Sequence, residues 1–122
     1  MNIEAALADG YDLQTALYMT LQENEEAVRG LKSTGYALAE ARKNSRLELS
    51  KAMMALRTSG MAAALVKDVA RGYQKVADAM FAEDLQECLW EAQREEVMLR
   101  KREADVLREE IARVHAEQGR SW

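Results

Sequence analysis

Apolar and small residues recur three and four apart through most of the chain, the spacing that lines one face of an α-helix. Between Asp12 and Arg57 the stripe runs through Leu17, Leu21, Val28, Leu31, Gly35, Leu38, Leu49, Ala52 and Leu56, with Asn24, Arg42 and Ser45 interrupting it. Between Tyr73 and Gln118, Val97, Ala104, Leu107, Ile111 and Val114 keep a seven-residue rhythm, and Leu85, Leu89, Ala92, Leu99 and Val106 trace a second line beside it. The intervening LRTSGMAAALVKDVARGY reads as a stop, a short helix and another stop, because Gly60 and Gly72 suit the left-handed backbone that ends helices. Met61, Leu65 and Val69, four apart, would give the short helix one apolar face across the bundle end. The pattern predicts an all-α fold: a first long helix over 12–58, a connecting helix over 61–71 and a second long helix over 73–118. The long pair forms an antiparallel, coiled-coil-like hairpin within a single domain spanning 1–122.

Composition strengthens this picture. The chain has no proline, where average usage would give about six, so nothing need interrupt the arms, each of which would reach roughly 70 Å if wholly helical. The second arm's two apolar lines form a face wider than one partner helix covers. A second copy of the chain is the economical cover, so a homodimer or higher assembly in a four-helix arrangement is expected, with an interface at Leu85, Leu89, Leu99, Val106, Leu107, Ile111 and Val114. The seven methionines read as core filler in preference to a binding groove. Every apolar run breaks at a charge well short of about 18 residues, and the opening MNIEAALADG carries acids without a basic residue, unlike a leader. A soluble, cytoplasmic protein with no membrane partner is expected.

The net charge of −4 hides a segregation: 29–75 hold ten basic residues against three acids, while the flanking stretches are acidic. If the hairpin bends symmetrically about Leu65, Arg42, Lys43 and Arg46 face Glu83, Asp84 and Glu87, and Glu23, Glu25 and Glu26 lie beside Lys101, Arg102 and Arg108. Much of the basic block is then paired internally. What remains at the tip is Lys51, Arg57, Lys67, Arg71 and Lys75, the candidate residues for contacting phosphate. A helix-turn-helix reading of Ser50–Arg57 with Met61–Arg71 is weaker, since the second helix offers only Lys67 and Arg71 and no amide or hydroxyl near its start to read base edges.

Residues for other chemistry are sparse. His115 is the single histidine and Cys88 the single cysteine, so neither a transition-metal site nor an internal disulfide is expected. Cys88, in LQECLW, reads as a buried or half-buried structural residue, His115 as a surface or seam residue, and Trp90 and Trp122 as packing anchors. Glu95-Glu96 and Glu109-Glu110 are neighbours about 100° apart on a helix and do not converge as paired catalytic carboxylates would. The glycines are isolated, without a phosphate-cradling loop. A non-enzymatic protein is expected, with no cofactor and no small-molecule substrate.

Leu38 to Ala41, Leu56-Arg57, Gly60-Met61, Lys67-Asp68, Arg71-Gly72, Val76-Ala77 and Trp122 fall in a pattern of L-A-E-A, then L-R-x-x-G-M, a short apolar helix, an R-G pair and a closing tryptophan. Residues 35–122 thereby resemble small coiled-coil proteins encoded by phages and prophages of Gram-positive bacteria. Ser45 stands where that family usually has tyrosine, Ala62 where it has proline and Ser121 where it has glutamate. The resemblance implies no biochemical role; its genes tend to sit among early replication and recombination genes, which implies an accessory role in a DNA-processing assembly. The functional expectation is a helical interaction or scaffold protein whose partners are itself and a phage or host DNA-processing protein. The alternative is direct single-strand or duplex nucleic-acid binding through the basic tip.

Overall fold

The structure, a computed structural model, describes residues 12–120. They form three helices: α1 (Leu13–Thr58), α2 (Ala63–Arg71) and α3 (Gln74–Arg120). α1 packs against α3 with α2 between them, an all-α helical hairpin with no strand among the described residues. The helix bounds differ from the sequence reading by one or two residues, the range over which helix ends fray. MNIEAALADG and Ser121–Trp122, read above for leader character and for a closing tryptophan, lie outside the described residues.

The turns follow from local chemistry. Asp12 caps α1, its Oδ1 accepting the Thr15 N–H at 2.7 Å and so satisfying one of the helix's orphan donors. At the other end Gly60 has φ +89°, the Met61 N–H donates to the Leu56 carbonyl at 3.1 Å, and the Gly60 N–H donates to that of Arg57 at 3.0 Å. This pair of bonds is the Schellman closure, and Met61 supplies its usual apolar contact by packing with Leu56. Gly72 behaves otherwise than expected. Its φ of −79° and ψ of −10° are right-handed, and α2 ends through short bonds from Gly72 and Tyr73 to the Val69 and Ala70 carbonyls. The turn into α3 therefore needs no left-handed residue.

Contacts divide the fold into two compact units, Lys32–Ala92 and the described residues on either side of it. In Lys32–Ala92 the core is Ala52, Leu56, Val66, Ala70 and Val76, packed by Leu49, Met53, Met61 and Met80. The buried face of α2 is thus Val66 and Ala70, and the expected Leu65 and Val69 lie outside; only Met61 of the expected trio joins the core. This placement also corrects the register. A symmetric bend would set Gly35 opposite Glu95, but Gly35 lies under Trp90, whose Nε1 is 3.5 Å from where a Cβ would stand. Because α2 lays Val66 and Ala70 over Ala52 and Leu56, the last turns of α1 are occupied and α3 pairs with α1 from further back.

In the other unit Ala16 and Leu107 are fully buried with Leu13 and Leu17 against them, and Ala27, Val97 and Ala104 are buried too. The seam of α1 here runs through Ala16, Thr20 and Ala27, one residue off the expected Leu17, Leu21 and Val28. Small side chains let the helices approach, and the larger ones flank the contact. Gly30 shows how close the approach is: a Cβ there would meet the Gln93 amide at 2.6 Å, and that amide donates to the Ala27 carbonyl at 2.8 Å. Thr20 Oγ1 and Asn24 Oδ1 are buried without a hydrogen-bond partner among the described residues.

Candidate functional site

Charged side chains sort into paired and unpaired sets. In Lys32–Ala92, Arg42 reaches Glu83 at 3.8 Å and Glu87 at 3.9 Å, as the charge pattern anticipates. Lys43 and Arg46 make no ion pair among the described residues, so the cross-hairpin pairing is carried by one of the three expected cations. In the other unit Arg100 gathers three carboxylates: Glu23 at 3.2 Å, Glu96 at 2.8 Å and Glu103 at 3.1 Å. Burial works against the charge of Arg100, yet the hydrogen bonds it donates to Glu103 and Glu96 outweigh it and hold its pKa above the ordinary value. Glu23 thus reaches Arg100, one position from the expected Lys101, and Arg108 holds Asp105 on its own helix at 3.4 Å. Arg113 sits between Glu110 and Glu117, and its hydrogen bond lowers the Glu110 pKa.

The structure brings the expected basic residues to the bend. Lys51, Arg57, Lys67, Arg71 and Lys75 are all exposed. Lys51 lies 3.7 Å from Glu48, and the other four make no ion pair among the described residues. Leu65, Val69 and Tyr73 stand exposed among them. An open depression of about 440 Å³ on α1 is lined by Arg46, Met53, Met54, Arg57 and their neighbours.

Of the seven expected interface residues, Leu85, Leu89, Leu99 and Val106 are exposed, as an unpartnered line would be, and Ile111 and Val114 are half-buried. Leu107 is a correction: at 1 % exposure it is spent on Ala16 within the chain. The apolar surface the sequence reading missed is larger: Tyr36 (71 % exposed), Leu47, Met54 (68 %) and Phe81 (70 %) all face outward. Their signal was available, since Tyr36, Leu47 and Met54 each lie two residues, about 200° of turn, from the seam positions Leu38, Ser45 and Ala52.

Cys88 is exposed, contrary to the buried reading, because it falls on the outward flank of α3 near Leu85. His115 is exposed beside Asp12 and Gln14 in an open depression of about 390 Å³. Among the described residues no group of three or more histidine, cysteine or acidic side chains is placed to hold a metal ion, and no helix is long and apolar enough to cross a membrane. Comparison with protein-family models, with curated proteins and with solved structures finds no match for this chain.

Proposed function

We propose that the protein is a non-enzymatic helical interaction protein, a scaffold that associates with itself and serves a DNA-processing assembly. One observation carries the reading: the unit Lys32–Ala92 satisfies its own seam and still leaves Tyr36, Leu47, Met54, Phe81, Leu85 and Leu89 exposed on its two long helices. Covering a large apolar side chain is worth about 1.5–3 kcal/mol, so two helix faces that each carry several such side chains favour association. The link to DNA processing rests on the phage-protein resemblance of residues 35–122. Light scattering at micromolar concentration tests self-association, with two or more chains expected and a stable monomer contradicting it. Affinity capture with and without nuclease tests the assembly: a protein partner that survives nuclease is expected.

A second reading has its own observation. Arg57, Lys67, Arg71 and Lys75 are exposed at one bend without an ion pair among the described residues, as cations that meet phosphates would be. On that reading DNA affinity falls steeply with salt as counterions are released. Changing Lys67, Arg71 and Lys75 to glutamate then removes binding and flattens the salt slope. Absence of binding at low salt refutes it.

A further inference from the structure

The two exposed stripes of Lys32–Ala92 differ in both direction and charge. On α1, Tyr36, Leu47 and Met54 lie two residues from seam positions, about 200° of turn away, and so point out of the hairpin. On α3, Phe81 lies two residues from buried Ala79, and Leu85 two residues from Glu83, which reaches back to Arg42. That stripe points out of the opposite side. The α1 segment 32–58 carries six basic residues against two acids, and the α3 segment 74–92 carries one basic residue against five acids. Each apolar stripe is bordered accordingly: Arg46 and Arg57 line the depression that contains Met54, while Asp78 and Asp84 lie three residues on either side of Phe81.

Resting on the self-association proposed above, we infer that the occupant of each stripe is the other stripe of a second copy. Phe81 of one chain seats in the Arg46–Arg57 depression of the next, with the two aspartates beside the two arginines. An aromatic ring under a guanidinium is itself a favourable contact, and the opposite signs fix which helix meets which. Two like stripes would set acid on acid or base on base. Because the stripes point away from one another, a chain that uses α1 toward its neighbour keeps α3 free. The contact is therefore heterologous and does not close on two chains. This departs from the closed four-helix dimer that the width of α3's apolar face suggested.

Mixing variants tests it. Met54→Glu blocks the α1 stripe and Phe81→Glu blocks the α3 stripe, and both positions are so exposed that the hairpin folds in either variant; circular dichroism checks this. Sedimentation velocity should show wild-type mass growing past two chains as concentration rises. Each variant alone stays monomeric, and the equimolar mixture forms a two-chain species that grows no further, because each variant keeps the stripe the other has lost. A wild type that stops at two chains at every concentration overturns the open contact while leaving self-association standing. So does a mixture that stays monomeric, or a single variant that still dimerises. A wild type that is monomeric throughout removes the proposed self-association itself.

Discussion

Two glycines that look equivalent in the sequence should respond in opposite ways to the same substitution. Gly60 holds φ +89° and Gly72 holds φ −79°. An added Cβ at Gly60 meets nothing within 4 Å, so the cost of Gly60→Ala is the backbone conformation alone, about 1–2 kcal/mol for an L-residue in the left-handed region. The loss of unfolded-state freedom offsets about 0.4–1 kcal/mol of that, leaving a net destabilisation of up to about 1.6 kcal/mol. At Gly72 the backbone suits alanine, and the one near atom is the Val69 carbonyl oxygen, 3.4 Å from the new Cβ. Gly72→Ala should therefore be neutral or gain up to about 1 kcal/mol. Urea unfolding followed at 222 nm, at one fixed chain concentration, separates the two: the midpoint falls for Gly60→Ala and holds or rises for Gly72→Ala, with an unchanged slope. Equal losses at both positions would refute the reasoning, since they would mean that both glycines need a left-handed backbone.

Thr20→Val replaces a buried, unpartnered hydroxyl with a methyl of the same shape, and should stabilise by about 1–2 kcal/mol in the same unfolding assay. Ala62→Pro should be neutral or stabilise by up to about 1 kcal/mol: Ala62 has φ −59° and ψ 131°, its N–H makes no hydrogen bond among the described residues, and it precedes α2. Asp12 has a lowered pKa from accepting the Thr15 N–H, so its cap is fully present above the ordinary aspartate pKa and is lost as pH falls through the lowered one. Hydrogen exchange at the Thr15 amide should accelerate over that acidic window, and in Asp12→Asn the same window should show no such change. Gly35→Ala adds a methyl at ordinary contact distance from Trp90 and should stabilise α1 by about 0.5–1 kcal/mol through helix propensity, read as a raised melting temperature.

The elements were legible because their causes are local. Absence of proline, helical spacing and the glycine after Ser59 define two long helices and the first turn without any tertiary information. What the sequence concealed was which face each helix buries. A hydrophobic stripe ranks Leu17 and Leu21 above Ala16 and Thr20, but where helices approach closely the small residues take the seam and the leucines flank it. The same one-residue shift moved the buried face of α2 from Leu65 and Val69 to Val66 and Ala70, and the register followed from how α2 lies on α1. Charge was readable where partners were near enough for register not to matter, as with Arg42 and Glu83, and misread where it did, as with Glu23 and Arg100. Leu85 and Leu89 of the outward surface were legible as a line beside the main one, whereas Tyr36, Leu47, Met54 and Phe81 went unremarked because they are spaced like a thinner line outside it.

The claim that these outward stripes are covered by association is tested most directly at Cys88, the single cysteine, which is exposed three residues from Leu85 on the acidic-flanked stripe of α3. The rate of thiol labelling can be followed as the chain concentration rises. Progressive protection at high concentration is expected in the wild type, and none in Phe81→Glu. A labelling rate that is the same at every concentration in both proteins would contradict it.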